Sequence, residues 1–324
     1  MLDLDLYYKI HKAGLKDYLQ SVPFHVLREQ LYTPQELFGA YLPGCPESFD
    51  QCMDTIVYRH MVGSGKITSD PMVQSARSMH DTSIRNCMQK FLSNYEQRQV
   101  VGVMGGHALP RTDAAYRQVV EVSKQLTEMG YLMISGGGPG AMEATHLGAW
   151  LAGRPDEMVD EVLQILSEAP CFKDAGWFEA AYKVTVLYPQ KKHYQSLAIP
   201  TWFYGHEPPT IFATAIAKFF DNSIREDVIL TEAYGGLIFM PGSAGTLQEV
   251  FQEAVQNHYV SLGFPSPMVF VGTKFWSEEV PVYPFIQHMI KCGRYQNMIV
   301  DLVDDNESII RDICMPPDSK SVEK

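Results

Sequence analysis

Paired cysteines and clustered metal ligands are both missing from this sequence. The 324 residues include six cysteines, no two of which are spaced as Cys-x-x-Cys. No group of cysteine and histidine has the spacing of a zinc site either. We therefore expect reduced, mostly buried thiols and no bound metal. The cysteines are Cys45, Cys52, Cys87, Cys171, Cys292 and Cys314.

Positive charge is also scarce. The chain has 26 Lys and Arg against 38 Asp and Glu, a formal net charge of −12. Proteins that hold duplex nucleic acid neutralise many phosphates with basic side chains, so a nucleic-acid polymer is excluded as a partner. Residues 1–98 carry 10 basic and 11 acidic residues, and residues 99–324 carry 16 and 27. A phosphate bound in the second part must be held mainly by backbone N–H groups and helix N-termini.

Long apolar runs and a basic amino terminus are missing too. The sequence opens with MLDLD, which is acidic where a signal peptide is basic. No uninterrupted apolar run approaches the ~18 residues of a membrane helix. We therefore expect a cytoplasmic protein with no membrane partner.

Residues 1–98 show no alternation of strands and helices. Proline and glycine breaks separate predicted helices at residues 6–20, 34–41, 49–61 and 71–95. The segment VGSGKI at residues 62–67 resembles a phosphate-binding loop, but that pattern needs Gly instead of His60 and Ser or Thr instead of Ile67. We predict a helical N-terminal extension that packs near the functional site or at a subunit interface.

From Gln99 onward, short apolar strands alternate with helices. Strands are predicted at residues 100–104, 131–135, 236–240 and 267–271, and their continuous hydrophobicity is typical of strands covered on both faces. Helices are predicted after Thr112 or Asp113, at residues 141–151, after Thr246 and at residues 282–293. This pattern predicts an α/β fold over residues 99–314, a Rossmann-like doubly wound parallel sheet with helices on both faces. The polar residues 315–324 are predicted to be a flexible tail.

The middle of the chain has weaker patterns. A helix start is predicted at residues 154–163, a strand at 183–188, and helices at 211–220 and 228–234. In the helix after Thr246, five apolar residues at helical spacing are predicted to face the core. They are Leu247, Val250, Phe251, Ala254 and Val255.

Two glycine-rich turns each follow an apolar strand and precede a helix. They are SGGGPGAME at residues 135–143 and PGSAGT at residues 241–246. In an open parallel sheet, ligands bind at this edge. Glycine lets the backbone approach a ligand, and the first helical turn offers unpaired N–H donors to an anion. Two such loops on one sheet predict a phosphate or nucleotide site.

The first loop also fits the dinucleotide pattern G-x-G-x-x-A through Gly136, Gly138 and Ala141. That site needs an acidic residue about 20 positions later, at the end of the next strand. The acidic residues at 156–161 instead lie at a predicted helix start. The sequence therefore disfavours a nicotinamide-dependent oxidoreductase.

The second loop and its flank, PGSAGTLQE at residues 241–249, resemble the P-G-G-x-G-T-x-x-E signature of the lonely-guy (LOG) family, formerly labelled lysine decarboxylase-like. The first loop is similar to that of bacterial nucleotide 5′-monophosphate nucleosidases, and the turn GGH at residues 105–107 fits the family's first turn. The resemblance covers about residues 99–275. It implies a Rossmann-like fold and hydrolysis of the N-glycosidic bond of a nucleoside 5′-monophosphate to free base and ribose 5-phosphate.

The resemblance implies two catalytic residues. Glu249, one turn into its helix, would stabilise an oxocarbenium-like state and orient or deprotonate water, although a glutamate there also suits the helix dipole. Arg225 would hold the leaving base or the ribose phosphate, or else pair with Glu226, Asp227 or Glu232. The predicted nucleotide-binding residues are Gly105, Gly106, His107, Ser135, Gly136, Gly137, Gly138, Gly140, Met142, Glu143, Pro241, Gly242, Ser243, Ala244, Gly245 and Thr246.

The sequence departs from the family pattern at several positions. Ser243 replaces the second glycine of the signature, so either its φ is negative or its hydroxyl adds a phosphate contact. Gln248 replaces a frequent acid. Trp202, Tyr204 and His206 could stack on a base, but their positions favour core aromatics.

The leading hypothesis is therefore a nucleoside monophosphate hydrolase that uses no cofactor and forms a homodimer or larger homo-oligomer. The alternative is a protein that binds a nucleotide or nucleotide cofactor through the same loops without cleaving it. The presence of both Arg225 and Glu249 favours the enzyme, because a carrier needs only the glycines. Amino-acid decarboxylation has no support, since no lysine occupies a recognisable cofactor site.

Overall fold

The computed structural model describes residue 14, residues 17–205 and residues 208–315. Most of the first predicted helix, His206, and the predicted tail beyond Met315 lie outside these residues. Within them, residues 17–21 are helical. None of the helices in these ranges is long and apolar enough to cross a membrane.

After the helical residues 17–21, three α-helices and two 3-10 helices (Pro46–Gln51 and Gln97–Gln99) precede the first strand in the described residues. Capping residues fix where two of the α-helices begin. The three α-helices are α1 (Pro34–Phe38), α2 (Met53–Gly63) and α3 (Pro71–Leu92). The Thr33 side chain accepts a hydrogen bond from the first turn of α1, and the Asp70 side chain caps α3 in the same way. Proline follows each cap, where its missing N–H costs nothing. The predicted helices at residues 34–41, 49–61 and 71–95 correspond to these three.

A seven-stranded sheet forms the centre of the molecule, and all of its strand pairs are parallel. Its strand order is β4-β3-β2-β1-β5-β6-β7, so the fold is the predicted Rossmann-like α/β fold. All strands except the edge strand β7 are fully buried. For β1, β2, β5 and β6 this burial confirms what their continuous hydrophobicity predicts. The strands are β1 (Val100–Met104), β2 (Leu132–Ser135), β3 (Ser196–Ala198), β4 (Ala215–Ile216), β5 (Gly236–Phe239), β6 (Pro267–Val271) and β7 (Ile299–Val303).

Eight α-helices and one π-helix (Phe275–Glu279) connect and cover these strands within the described ranges. The α-helices are α4 (Ala114–Glu128), α5 (Ala141–Leu151), α6 (Glu157–Leu166), α7 (Trp177–Leu187), α8 (Asn222–Glu232), α9 (Ala244–Tyr259), α10 (Val282–Lys291) and α11 (Asn306–Cys314). Asp113, one of the two predicted caps, is the N-cap of α4, and α5 has the predicted bounds.

The direction of the chain across the sheet reverses next to β1. From β1 the chain adds β2, β3 and β4 on one side, and it then returns to place β5 on the other side. The carboxyl ends of β1 and β5 are therefore adjacent, with Met104 paired to Phe239. In open α/β sheets this reversal creates the crevice in which ligands bind. The loops that follow β1, β2 and β5 all lie at this edge.

The strand predicted at residues 183–188 is wrong, because this segment belongs to α7. Its β-branched residues suggest a strand, but the buried side chains of Trp177, Ala180, Ala181 and Val184 recur at helical spacing. Val186 is 61% exposed, so the valines of this segment do not form one buried strand face.

The helix predicted at residues 211–220 is also wrong. Nearly every residue of this segment is buried, which leaves no solvent-facing side for an amphipathic helix, and its centre forms β4. Strand β4 pairs with β3 on one edge, and Ile216 forms a bridge with Tyr32 on the other. The short strands β3 and β7 and the helix α11 were not predicted.

The predicted core face of α9 is partly wrong. Val250 and Ala254 are buried, whereas Phe251 is 36% and Val255 is 48% exposed. Two polar residues take part of the buried face instead. Asn257 exchanges two hydrogen bonds with the Ser266 backbone, and Glu253 accepts one from the Ser266 hydroxyl.

The amino-terminal helices share one hydrophobic core with the sheet. A single cluster of buried residues contains Leu37, Val57 and Ile84 from this part together with the strands. Tyr32 and Ile216 exchange two backbone hydrogen bonds, of 3.0 and 2.9 Å. The amino-terminal helices therefore cover the β4 edge of the sheet.

Candidate functional site

A cavity of about 340 Å³ lies where the loops after β1, β2 and β5 meet. This volume is at the lower end of the ~300–1,000 Å³ range of small-molecule sites. Most of the predicted site residues line it: Gly105, Gly106, His107, Gly136, Gly137, Gly138, Met142, Arg225, Ser243, Gly245, Thr246 and Glu249. The other predicted residues lie beside or beneath it and are not part of its lining: Ser135, Gly140, Glu143, Pro241, Gly242 and Ala244.

The three loops are joined by short backbone contacts. The N–H of Gly106 donates to the Pro241 carbonyl at 3.1 Å, and the Gly106 carbonyl accepts the N–H of Ala141 at 3.3 Å. Gly140 has a φ of +69°, and a Cβ atom there would lie 2.3 Å from the Gly106 oxygen. Only glycine fits this position without displacing the first loop. The glycines thus hold the loops together as well as clearing space for a ligand.

Ser135 supports the first loop from below. Its side chain is buried, and its hydroxyl oxygen accepts the N–H of Gly137 at 3.1 Å. The same oxygen lies 2.8 Å from Nε2 of His146, whose Nδ1 lies 3.0 Å from the Ser196 hydroxyl. Burial lowers the pKa of His146 to about 3, so this ring is neutral. Ser135 therefore shapes the loop backbone that faces the cavity.

Glu143 is fully engaged by other side chains. Arg111 donates to both of its carboxylate oxygens, at 2.9 and 2.6 Å, and the Tyr116 hydroxyl donates to one of them at 2.8 Å. All three side chains are buried. This bidentate pair fixes the first turn of α5 against the segment before α4. Arg111 was missed, since nothing local in the sequence relates it to a partner 32 positions away.

The second loop presents the beginning of α9 to the cavity. Ser243 precedes the helix with a φ of −114°, so the negative φ permits the replacement of glycine at this position. No side chain in the described part of the chain caps α9, and its first-turn residues Gly245 and Thr246 line the cavity. Uncapped first-turn N–H groups are donors for an anion, and the helix dipole has its positive end there.

Arg225 projects from α8 to the first loop. Nη1 lies 3.5 Å from the position that a Cβ atom on Gly136 would occupy, and Nη2 donates to the Asn222 side chain at 2.8 Å. Its Nε is buried without a partner among the described residues. Within the described ranges none of the carboxylates of Glu226, Asp227 and Glu232 forms an ion pair with it. Its guanidinium therefore retains donors for a ligand.

Glu249 stands half-buried in the cavity wall, one turn and a half into α9. Burial raises the pKa of its carboxyl to about 7; the Arg225 charge opposes this shift, and Glu226 adds to it. Glu226 is itself held by hydrogen bonds from Asn222 at 2.7 Å and Gln248 at 3.1 Å. A carboxyl with a pKa close to neutrality can give and take a proton at physiological pH.

The cavity lining also includes Pro200, Thr201, Tyr204 and Pro209. Tyr204 is 39% exposed and provides an aromatic ring at the cavity. Trp202 is fully buried, and its indole N–H donates to Asp54 at 3.0 Å, so it is a core residue. Of the predicted aromatics, the structure thus places only Tyr204 where a base could stack, and His206 lies outside the described residues.

The residues at the cavity offer no set of metal ligands. In the described part of the chain, no group of three or more His, Cys, Asp and Glu side chains is placed to hold a metal ion. The acids at residues 156–161 lie at the beginning of α6, and β3 follows only after α7. A dinucleotide site would require an acid at the end of the strand after α5.

Comparisons with known proteins reveal distant similarity of fold. No protein-family model and no curated protein matches this sequence. Solved structures with a similar chain path include the molybdenum cofactor binding protein from the phototrophic bacterium Rippkaea orientalis, at 13% identity and a TM-score of 0.40, covering 65% of this chain and 93% of that one. Another is a protein designated TM1055, at 17% identity and a TM-score of 0.42, covering 65% and 96% of the two chains. At these values the similarity carries no information about activity.

Proposed function

We propose that this protein hydrolyses the N-glycosidic bond of a nucleoside 5′-monophosphate, as its resemblance to the LOG family implies. One observation carries the proposal. Glu249, with its pKa raised to about 7, shares one cavity with Arg225 and with both glycine loops. Binding a phosphate requires the loops, but it does not require a half-buried carboxyl beside it.

The residues divide the reaction among themselves. The phosphate accepts hydrogen bonds from the N–H groups of the loops and of the first turn of α9. This contact places the ribose in front of Glu249. The Glu249 carboxylate stabilises the positive charge that develops at the anomeric carbon and takes the proton of the attacking water. The base leaves with the electron pair of the glycosidic bond, and Arg225 stabilises the negative charge that develops on it.

The size and charge of the cavity agree with a mononucleotide. A volume of about 340 Å³ lies at the lower end of the ~300–1,000 Å³ range of small-molecule sites, which favours a ligand no larger than a mononucleotide. Among the described residues, Arg225 is the lone arginine or lysine in the lining, so most of the phosphate binding falls to the backbone. This division explains how an acidic protein can bind an anionic ligand.

The test compares the wild type with Glu249→Gln, which keeps the shape of the side chain and removes its charge. We expect the variant to bind nucleoside 5′-monophosphates, measured by calorimetry, within a few-fold of the wild type. Release of free base, followed by chromatography, should fall at least about 100-fold, as for loss of a general base.

A matched control is Glu307→Gln. Glu307 lies in the first turn of α11 and does not line the cavity. It therefore shares with Glu249 only the favourable placement of an acid near a helix N-terminus. It should leave base release unchanged. If the wild type binds the nucleotides tightly but releases no base from any of them, the protein is a carrier and the proposal is wrong.

A further inference from the structure

A chain of buried polar contacts connects the amino-terminal helices to the helix that carries Arg225. The Tyr32 hydroxyl lies 2.8 Å from Nε2 of His80, and Nδ1 of that ring lies 2.9 Å from a carboxylate oxygen of Asp81. Tyr32 and His80 are fully buried, and Asp81 is 3% exposed. None of these residues lines the cavity.

The Asp81 carboxylate is the last side chain in this series of polar contacts, and it binds the backbone just before α8. It accepts the N–H of Phe220 at 2.9 and 3.1 Å and the N–H of Asp221 at 2.9 Å. Asp221 is the N-cap of α8, where its side chain accepts the N–H groups of Ser223 and Ile224. Asp81 therefore fixes the residue at which α8 begins.

The hydrogen bonds of these residues follow from the donors and acceptors that each group offers. A carboxylate only accepts hydrogen bonds, so Nδ1 of His80 carries the hydrogen that points at Asp81. Burial lowers the pKa of His80 while Asp81 opposes this shift, which favours the neutral ring, and Nε2 of a neutral ring accepts the hydroxyl hydrogen of Tyr32. Every donor thus meets an acceptor, which makes the chain rigid.

The position of Arg225 depends on this first turn. Its own N–H donates to the Asp221 carbonyl at 3.2 Å. Its guanidinium donates to Asn222, which lies in the same turn, and its Nε has no partner in the described residues. A shift in the beginning of α8 would therefore move the guanidinium with it.

We propose that Asp81 is a positioning residue, which orients Arg225 by holding the beginning of α8 from the amino-terminal part of the chain. The kinetic consequence rests on the proposed function, whereas the structural consequence rests on the contacts alone. The amino-terminal helices thereby contribute to ligand binding without touching the ligand.

The structural test is hydrogen exchange on the full-length Asp81→Asn variant. Asparagine keeps the size, but its NH2 group must face one of the N–H donors that now meet carboxylate oxygens. We expect exchange in peptides covering residues 218–232 to become at least 10-fold faster, with exchange in β1 unchanged. The control, Ile84→Val, removes a methylene from a fully buried side chain of the same helix, and it should leave exchange in residues 218–232 as in the wild type.

The kinetic test is a double-mutant cycle with Arg225→Ala. In the background that retains Arg225, we expect Asp81→Asn to lower kcat/KM for a nucleoside monophosphate about 10- to 100-fold. Losses of this size follow from a small misplacement of a catalytic group. In the Arg225→Ala background it should cause no further loss. Equal losses in both backgrounds would show that Asp81 only stabilises the fold, and would overturn the proposal.

The two tests also separate this proposal from the proposed function. If the wild type releases no base, the hydrolase is wrong, yet faster exchange at residues 218–232 still supports the positioning role. Unchanged hydrogen exchange at residues 218–232 in Asp81→Asn overturns the positioning role, whatever the activity.

A second variant, Tyr32→Phe, serves if Asp81→Asn fails to fold. It removes only the hydroxyl at the far end of the series of polar contacts, and we expect it to speed exchange of the same peptides about 3-fold. No change in exchange would count against the proposal.

Discussion

Two glutamates on α9 have the same raised pKa but different surroundings. Burial raises the pKa of both Glu249 and Glu253 to about 7. Glu253 faces the core and accepts a hydrogen bond from Ser266, whereas Glu249 faces the cavity and the Arg225 charge. A perturbed carboxyl marks a functional site only when it also meets a ligand cavity. At the residue scale, position therefore distinguishes the catalytic candidate from a buried structural one.

The pH dependence of kcat/KM follows from the raised pKa of Glu249. The proposed role requires the ionised carboxylate, so kcat/KM should rise about 10-fold per pH unit below 7 and level off above it. Steady-state assays from pH 5 to 9 measure this profile. Glu253→Gln is the control, since it removes a carboxyl of the same pKa outside the cavity and should keep the midpoint. A profile that falls as pH rises through 7 would show that Glu249 acts as an acid instead.

At the element scale, the site depends on how three loops fit together at the sheet edge. The loop after β2 packs its Gly140 against the Gly106 carbonyl, and the loop after β5 accepts the N–H of Gly106. The beginnings of α5 and α9 are thereby held at fixed distances from one another. The proposed function needs the N–H groups of these loops to converge on one anion, so the packing between loops matters as much as the sequence of each loop.

Substituting Gly140 tests this packing. Alanine there would have an unfavourable positive φ and a Cβ atom 2.3 Å from a backbone oxygen, so we expect a loss of roughly 3 kcal/mol in the free energy of unfolding and weaker nucleotide binding. Gly130→Ala is the matched control, because Gly130 has a φ of +96° and a Cβ atom there would have nothing within 4 Å. It should lose only about 1 kcal/mol. Denaturant melts that give equal losses for the two variants would contradict the packing argument.

The sequence predicts those elements whose local pattern agrees with their place in the fold. Strand β1 and helix α5 have the predicted bounds, because continuous apolar residues and clear turns define them. The predictions failed at α7, a helix that contains β-branched residues, and at β4, a two-residue strand whose segment is buried on all sides and covered by the amino-terminal part. Both loops, Arg225 and Glu249 were predicted from their motifs, and the structure places residues of both loops, Arg225 and Glu249 at one cavity. The Arg111–Glu143 pair and the Asp81 contacts join distant segments and leave no local signal.

At the scale of the whole molecule, the amino-terminal helices form one side of the structure that carries the site. Lys218 is fully buried next to β4 and pairs with Asp54 of α2, which also accepts the Trp202 indole N–H. Burial lowers the pKa of Lys218 while Asp54 opposes this shift. Trp202 lies two residues before Tyr204, which lines the cavity. The domain boundary near residue 98 and the homo-oligomer stay predictions.

Removing residues 1–98 tests how far the remaining chain depends on these helices. The truncation leaves the buried Lys218 without its partner, the edge of β4 unpaired and a large apolar surface in water. Unpairing one buried charge alone costs about 3–5 kcal/mol, a large part of a typical stability. We expect an insoluble product or one without a cooperative thermal transition by near-UV circular dichroism. A soluble, cooperatively folded fragment with full activity would refute this account.

The central claim is that the cavity at the sheet edge cleaves nucleoside 5′-monophosphates. The most direct measurement incubates the wild-type protein with a panel of these nucleotides, the corresponding nucleosides and NAD, and quantifies products by chromatography. The account predicts free base and ribose 5-phosphate in equal amounts from at least one monophosphate, and much less from its nucleoside because the loops then have no phosphate to bind. Intact nucleotides throughout, in a sample that binds them by calorimetry, would contradict it.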